Sequence, residues 1–231
     1  MQTTELDPSL SATLQKAGKD GLLLVIGNKN YSSWSMRPWV AMTAFGIPFR
    51  EHRILLRQAT TADEIAHYSA SGRLPILLVG ETPIWDSLAI CEYLADQFPD
   101  LGMWPEDVLA RATARSICAE MHSGFAELRS AMPMDIRAYK PGFGRTAGAQ
   151  ADIARVVEIW ETCLSEFGHH QFLFGAFSIA DAYFAPVVMR FRSYGVSLAP
   201  ALQAYVDRVQ EHPAVARWMR EAEAETEVLP D

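Results

Sequence analysis

This sequence of 231 residues contains few of the residues and segments that reveal the chemistry of a protein directly. Its three cysteines, Cys91, Cys118 and Cys163, are odd in number and scattered, without a Cys-x-x-Cys or Cys/His pairing. No run approaches the about 20 apolar residues that span a membrane, and residues 1–20 lack the basic and apolar regions of a secretory signal. We therefore expect no disulfide framework, no cysteine metal site and no membrane partner, but buried thiols in a cytoplasmic protein.

Positive charge is also in short supply. Lys and Arg number 20 against 28 Asp and Glu, which gives a formal net charge of −8. Nucleic-acid binding needs a basic face that neutralises phosphates, so we expect no nucleic-acid partner. The adjacent pair His169-His170 would point in different directions on a helix, so we expect no metal there. A small anionic ligand is not excluded, because it needs only a local positive potential.

The first half of the chain reads as an α/β module. Leu22 to Ile26 is an unbroken apolar run that predicts a buried strand. The elements predicted after it are a helix at 36–45, a strand at 49–55, a short helix at 61–68, a hairpin at 74–79 and 82–85, and a helix from 87 to about 98. A βαβ alternation implies parallel pairing, and a hairpin needs a helix packed on it. We therefore predict a βαβ-α-ββα domain at 21–100, after an N-terminal extension at 1–20.

The second half reads as helical almost to its end. Pro99 to Pro105 breaks the preceding helix, and apolar residues then recur at helical spacing over 106–129 and 149–167. Ser178-Ile179-Ala180-Asp181 is a capping box that opens an apolar helix, which we place at the buried centre of this half. These patterns predict an all-helical domain at 105–231.

A serine-rich loop lies between the first predicted strand and the first predicted helix. Its seven residues are Tyr31-Ser32-Ser33-Trp34-Ser35-Met36-Arg37. Unpaired N–H groups and the dipole at a helix N-terminus favour negative charge, and serine hydroxyls add donors for a thiolate, carboxylate or phosphate. Serine is also a common N-cap, so the loop alone predicts either an anion site or a well-capped helix.

Further motifs follow the serine loop in a characteristic order. They are Gly72-Arg73-Leu74-Pro75 before the hairpin, Asp86-Ser87-Leu88-Ala89-Ile90 at a helix start, and Ser178-x-x-Asp181 in the helical half. In this order and spacing, the chain after residue 20 resembles the cytosolic glutathione transferase superfamily. Its Ser-Ser-x-Ser-x-Arg loop looks most like the serine-type zeta class, which includes maleylacetoacetate isomerase, and like bacterial relatives of that class. The resemblance implies a thioredoxin-like first domain that binds glutathione as co-substrate, a helical-bundle C-terminal domain that supplies the electrophile site, and a homodimer.

The resemblance gives the serine loop the task of holding the glutathione thiolate. By motif, Ser32 matches the zeta catalytic serine and Ser33 its neighbour, and other serine classes favour the second position. A backbone-only site or Tyr31 are the remaining alternatives. Arg37, in the first turn, either lends positive potential to the site or is a structural ion-pair partner.

The other motifs are assigned to the rest of glutathione. Leu74, followed by Pro75 in the cis form, would pair with the cysteine backbone. Asp86 would bind the γ-glutamyl ammonium group, and Ser87 with its N–H would bind the carboxylate beside it, although capping alone also explains an Asp-Ser pair. The candidates for the glycine carboxylate are Arg73, Arg57 and Gln58.

The expected reaction is conjugation of the glutathione thiolate to a hydrophobic electrophile in detoxification, or glutathione-dependent reduction of a peroxide. Aromatic and methionine residues at 106–132, together with Tyr183, Phe184 and Tyr194, would supply its electrophile pocket, with most of them in the core and a minority facing the ligand. A zeta-type cis-trans isomerase is one alternative, but Trp34 stands where the zeta loop has cysteine, and Arg190 is out of register with the zeta arginine. A non-catalytic glutathione-binding regulatory protein is the other.

Overall fold

The computed structural model describes residues 21–167 and 171–229. The predicted extension at 1–20 and the pair His169-His170 lie outside the described residues. Within the described ranges, no helix combines the length and the hydropathy that a bilayer crossing requires.

The first half forms a four-stranded mixed sheet. Its strands are β1 (Leu22–Ile26), β2 (Arg50–Arg53), β3 (Ile76–Val79) and β4 (Thr82–Ile84). They are ordered β2-β1-β3-β4, with β1 and β2 parallel as predicted and β3 antiparallel to both of its neighbours. β1 lies inside the sheet, and four of its five residues are buried. A strand that is covered on both faces is apolar along its whole length. The unbroken apolar run therefore predicted this strand correctly.

Three helices accompany the sheet: α1 (Ser33–Ala44), α2 (Thr61–Ala66) and α3 (Ser87–Gln97). The prediction that the first helix starts at residue 36 was wrong by one turn. Ser32 is the N-cap, and its hydroxyl accepts a hydrogen bond from the Ser35 N–H. Ser33 and Ser35, which were predicted to lie in the loop before the helix, are therefore inside it, because a single cap is enough to start a helix.

The second half consists of helices. They are α4 (Val108–Ser123), α5 (Ala126–Ala131), α6 (Ala147–Glu166), α7 (Ile179–Tyr194), α8 (Pro200–Glu211) and α9 (Pro213–Glu223). The single helix predicted over 106–129 is interrupted, because Gly124 is extended and Phe125 has a φ of 56°. The structure confirms a thioredoxin-like α/β part followed by an all-helical part, and the exact limits at 100 and 105 stay predictions.

Helix α7 is the buried centre of the second half, as predicted. The capping box is complete. The Ser178 side chain accepts from the backbone of Asp181, and the Asp181 side chain accepts from the backbone N–H of Ser178. Fifteen of the sixteen residues of α7 are buried, and the helix packs directly against α1. This contact joins the helix that carries the serines to a helix of the second half, so their side chains can meet.

The three cysteines are free and buried, which confirms the prediction made for them. Burial raises the pKa of the Cys163 thiol to about 12 and raises the pKa values of Cys91 and Cys118 as well. All three are therefore neutral thiols at physiological pH, which makes them poor nucleophiles.

Candidate functional site

A cavity of about 620 Å³ opens where the sheet half meets the helical half. Residues from all three N-terminal motifs line it: Tyr31, Ser32, Ser33, Trp34, Gly72, Arg73, Leu74, Pro75, Trp85, Asp86 and Ser87. From the helical half His122 joins them, and Leu56 and Ile65 complete the wall. The structure thus brings seven of the eight predicted site residues to one cavity, and Arg37 is the exception.

Ser32 is the N-cap of helix α1. Its hydroxyl lies 2.7 Å from the Ser35 hydroxyl, to which it donates, and it accepts from the Ser35 N–H at 3.4 Å. The Ser35 hydroxyl in turn accepts from the Gly27 N–H at the end of β1. The capping role that the sequence left open for this loop is therefore filled by Ser32.

Ser33 has a different partner. Its hydroxyl accepts a hydrogen bond from Nη2 of Arg190, at 3.2 Å, across the contact between α1 and α7. Arg190 is held by two further bonds, from Nε to the Met132 carbonyl at 2.9 Å and from Nη1 to the Pro186 carbonyl at 3.2 Å. A hydroxyl that accepts from a guanidinium keeps its own proton to donate. Ser33 can therefore donate to an anion in the cavity while a positive charge stands behind it.

Arg190 is clustered with Arg37 and Arg129, and none of the three has an acidic partner among the described residues. Burial lowers the pKa of Arg190 to about 9, and the charges of Arg37 and Arg129 contribute to this shift. The guanidinium therefore stays protonated at neutral pH. In the described parts of the chain, no ion pair joins any of these three arginines to a carboxylate. The cluster gives the serine end of the cavity a positive potential in a protein of net negative charge.

Arg37 lies behind the cavity wall. Its guanidinium is stacked between the rings of Trp34, at 4.3 Å, and Tyr183, at 4.2 Å. Its Nε and Nη1 have no hydrogen-bond partner in the part of the chain that the structure describes. Burial lowers the pKa of Arg37, and nearby Tyr183 opposes the shift. Of the two roles that the sequence allowed, an ion-pair partner is wrong for the residues described. Arg37 does not line the cavity, and Trp34, on which it stacks, does. Its predicted contribution of positive potential to the site stays a prediction.

Asp86 is both a helix cap and a cavity residue. Its Oδ1 accepts from the N–H groups of Leu88 at 2.9 Å and Ala89 at 3.3 Å, which makes it the N-cap of α3. Its Oδ2 lies 3.0 Å from Nε2 of His122, on helix α4. Because each oxygen has a separate task, capping and ligand binding are compatible in this residue.

Ser87 reaches the cavity, but its hydroxyl does not face it freely. The hydroxyl is 3.0 Å from the Tyr183 hydroxyl, which is itself 3.0 Å from Nδ1 of His122. The predicted role of this hydroxyl as a carboxylate ligand stays a prediction, because either hydroxyl of the Ser87–Tyr183 pair can be the donor. Ser87 is the first residue of α3, so its backbone N–H is the group placed to meet an anion.

His122 is a site residue that the sequence did not reveal. It lies in the last turn of α4, bonded to Asp86 and Tyr183, and its ring meets Trp34 edge-on at 5.2 Å. No motif or spacing marks it, because a lone histidine in a helix looks the same whether it faces solvent or a partner. Only the packing of α4 against α3 identifies it.

The remaining predicted residues lie at the opposite wall. The Leu74–Pro75 peptide bond is cis, as the resemblance implied. Both residues precede β3, whose pairing begins at Ile76, so their backbone lies outside the sheet ladder. Arg73 is exposed at the rim of the cavity.

A second cavity of about 580 Å³ adjoins the first and shares Tyr31 and Leu56 with it. Its other lining residues are Arg57, Arg129, Pro133, Met134, Asp135, Lys140, Arg190 and Leu229. Of the residues predicted for the electrophile pocket, Tyr183, Phe184 and Tyr194 are buried in the core and line neither cavity.

The C-terminal segment holds the loop that leads into the serines. The buried carboxylate of Glu225 accepts from the N–H groups of Lys29, at 2.7 Å, and Asn30, at 3.0 Å, and from Arg53 Nη1 at 2.8 Å. These bonds satisfy two backbone donors of a loop that has no regular secondary structure. Glu225 therefore ties the last described segment of the chain to the start of the site.

We expect Glu225→Ala to lower the free energy of unfolding by about 2 kcal/mol, because it leaves buried donors without an acceptor. Urea denaturation measures this change. Glu227→Ala is the matched control: Glu227 pairs with the same Arg53, but both side chains are about one-third exposed, so its loss should cost under about 1 kcal/mol. Equal losses in the two variants would contradict the proposed anchoring role.

Comparisons with known proteins agree with the fold and with the motifs. The family described as "Glutathione S-transferase, N-terminal domain" matches residues 31–97, and the one described as "Glutathione S-transferase, C-terminal domain" matches residues 110–221. Among solved structures, a glutathione transferase homolog from Burkholderia with bound glutathione has a TM-score of 0.68 at 22% identity, over 88% of this chain and 99% of that one. At this identity the likeness shows the fold alone.

Two curated relatives cover most of the chain. A probable maleylacetoacetate isomerase of Caenorhabditis elegans is 24% identical over 78% of this chain and 83% of that protein. A pyrimidodiazepine synthase of Drosophila melanogaster is 22% identical over 91% of this chain and 86% of that protein. Because the two matched domains follow each other in the order of the fold and span most of the sequence, the chain belongs to the glutathione S-transferase family.

Proposed function

We propose that this protein binds glutathione in the 620 Å³ cavity and transfers it to an electrophile, with Ser33 holding the thiolate. The hydrogen bond from Arg190 to Ser33 carries the proposal, because it turns the serine hydroxyl into a donor backed by a positive charge. The cavity volume lies within the range of about 300–1,000 Å³ that small-molecule sites occupy.

The cavity walls match the three chemical parts of glutathione. The thiolate would lie at the N-terminus of α1, beside Ser33. The cysteine backbone would pair with the free backbone at Leu74, and the γ-glutamyl end would place its ammonium group at Asp86 and its carboxylate at the N–H of Ser87. Arg73, at the rim of the cavity, would bind the glycine carboxylate.

The chemical task of the site is to make the thiolate available at neutral pH. A free thiol has a pKa near 8.5, and lowering it by about two units requires about 2.7 kcal/mol of differential stabilisation. A charge-assisted hydrogen bond and a helix N-terminus together supply a free energy of this size. The thiolate then attacks an electron-poor carbon, forming a C–S bond while the leaving group departs with its electron pair.

Ser33 is favoured over Ser32 by the contacts of the two hydroxyls. The motif match with the zeta class points to Ser32, whose proton is directed to Ser35 within the helix cap. Ser33 has no such bond to the cap and accepts from Arg190. Its proton is therefore the one available to a ligand.

Asp86→Ala should weaken glutathione binding about 10-fold, because the ammonium group loses a charged acceptor. Isothermal titration calorimetry measures the dissociation constant. Asp107→Ala is a matched control: Asp107 caps α4 through the same pair of bonds, to Leu109 and Ala110, and lies outside the cavity. Both variants should lose about 1 kcal/mol of stability from the cap. Equal glutathione affinity in the two variants would argue against Asp86 as a ligand.

An isomerase of the maleylacetoacetate type is a second candidate, favoured by the relative from Caenorhabditis elegans. It would use the same thiolate, which adds to a conjugated carbon and leaves again after bond rotation. Turnover of maleylacetone without consumption of glutathione would identify it, whereas consumption of glutathione with an aryl halide or a peroxide would identify the transferase or the peroxidase.

The non-catalytic alternative is tested by binding. Retention on immobilised glutathione, together with a pH-dependent thiolate absorbance in the binary complex, supports catalysis. Retention without this absorbance favours a binding protein, and failure to bind glutathione contradicts the proposal. The homodimer and the cytoplasmic location rest on the resemblance and on cysteine usage, and analytical ultracentrifugation tests the first.

A further inference from the structure

We propose that the 580 Å³ cavity is a subsite for an acidic group, so that the preferred electrophile carries a carboxylate or a sulfonate beside its reactive carbon. The inference rests on the proposed function, whose thiolate would be formed next to this cavity. It replaces the hydrophobic electrophile that the sequence led us to expect.

The position of the cavity is the first argument. It shares Tyr31 and Leu56 with the glutathione cavity, and Arg190 lines it while donating to Ser33. A molecule bound there would therefore have one end beside the thiolate.

The charge of its wall is the second argument. Among the described residues that line this cavity, Asp135 is the only acidic one, and its Oδ2 pairs with Lys140 at 3.3 Å. Its Oδ1 accepts from Nδ2 of Asn30 at 2.8 Å. Arg129 and Arg190 thus bring two positive charges to the cavity, neither of which is paired with a carboxylate in residues 21–167 and 171–229.

Arg129 and Arg190 add two positive charges to that of Arg37, whereas the thiolate of glutathione would neutralise only one. A buried charge without a counter-charge is costly, and proteins usually pair it or bind an anion to it. Arg190 is only 5% exposed, so bulk water compensates it poorly. An acidic group on the second substrate would supply the missing negative charge.

The donors needed to bind such a group are present. A guanidinium has five N–H donors, and Arg190 uses three of them in its bonds to Met132, Pro186 and Ser33. Arg129 makes one long bond of 3.5 Å to the His122 carbonyl and lies over the Trp34 ring at 5.2 Å. Both arginines therefore retain the planar donors that suit a carboxylate.

The rest of the wall fits a small carbon skeleton. Leu56, Pro133, Met134 and Leu229 are apolar, and they lie in the same cavity as the arginines. Apolar walls with a few fixed polar groups are typical of sites for small organic ligands. The substrate class is therefore a compact organic acid with an electron-poor carbon.

A chloro-dinitrobenzoate and its methyl ester form a matched pair of electrophiles for the test. In both reactions the thiolate forms a C–S bond with the ring carbon, and chloride leaves with the electron pair. With saturating glutathione, and with each kcat/KM divided by the uncatalysed rate constant of the same electrophile, we expect the wild-type protein to favour the acid over the ester. This division is needed because an ester group activates the ring more than a carboxylate does. Arg129→Met should lower this acid-to-ester ratio about 10- to 100-fold, the range for loss of one charge-assisted contact.

Two further variants keep the test decisive. Arg129→Lys retains the charge and should restore part of the ratio, which a purely structural role of Arg129 would not require. Arg145→Met is the matched control, since Arg145 is exposed, donates to the Gly195 carbonyl and lines neither cavity, so the ratio should not change.

Two results would overturn the subsite. They are a wild-type preference for the ester, once each value is divided by the uncatalysed rate, and an unchanged acid-to-ester ratio in Arg129→Met. Failure of the wild-type protein to bind glutathione would contradict the proposed function itself. This outcome can be told apart from failure of the subsite, which would leave glutathione binding intact.

Discussion

Ser33→Ala should lower kcat about 10²- to 10³-fold at saturating glutathione, the loss observed when one donor to a reacting anion is removed. The variant loses the hydroxyl that stands between Arg190 and the cavity, so the thiol pKa should move back towards its free value near 8.5. Steady-state kinetics measure the first effect. The pH dependence of thiolate absorbance in the binary complex measures the second, which a purely structural role would not produce.

Ser32→Ala is the control for this prediction. Ser32 is the N-cap of α1, and Ser33 is the first residue of that helix. Loss of the Ser32 hydroxyl should therefore lower the free energy of unfolding by about 1 kcal/mol and leave the thiolate absorbance in place. The reverse pattern, with Ser32→Ala slow and Ser33→Ala active, would restore the assignment made from the motif alone. If neither variant is slow, a serine-held thiolate is the wrong mechanism.

The order of strands and helices was largely legible in the sequence, because each element is specified by its own residues. The apolar run of β1 and the capping box of α7 are local patterns, and both lie where they were predicted. The errors arose where two local patterns competed. The serines before Met36 were predicted to form a loop, although Ser32 alone caps the helix and Ser33 and Ser35 lie inside it. Apolar spacing also continued across the break at Gly124.

The site was predictable only as far as its motifs extend. The three N-terminal motifs meet in one cavity because the sheet fixes their relative positions, whereas Arg190 and His122 belong to no motif. Arg190 lies 157 residues after Ser33, and their contact depends on how α7 packs against α1. Contacts of this kind follow from the tertiary structure, so the sequence left the choice between the two serines open.

The second cavity shows the same limit for substrate class. Aromatic residues on α7 suggested a hydrophobic pocket, but Tyr183 and Phe184 turn into the core. Apolar residues at helical spacing do not reveal which of them a neighbouring helix will cover. Arginines on three different segments form the wall instead, and no local pattern connects them.

The largest effect on stability is expected from Asp181→Ala, at about 4 kcal/mol. The buried carboxylate accepts from the N–H groups of Leu173, at 3.0 Å, and Ser178, at 2.9 Å, and from the hydroxyls of Ser178 and Tyr205. Alanine leaves these donors without an acceptor at the centre of the second half, and such loss of a buried network is among the costliest single changes. Urea denaturation measures the loss, and the glutathione affinity of the folded fraction should be unchanged.

The pH dependence of stability distinguishes the charge of Asp181 from its hydrogen bonds. Burial raises the pKa of this carboxyl from 3.8 to about 6, against the opposing effect of its four donors. Between these two pH values the folded state therefore binds more protons than the unfolded state, and the free energy of unfolding should fall as pH rises. A shift of about two units corresponds to about 3 kcal/mol.

Asp181→Asn has no such titration, so the stability of the wild-type protein relative to this variant should decline between about pH 4 and pH 6 and then level off. Urea denaturation of both proteins across this range gives the comparison. A relative stability that rises with pH would mean that the four donors stabilise the carboxylate more than burial disfavours it. In that case the charged form of Asp181, and not only its shape, would hold the start of α7 in place.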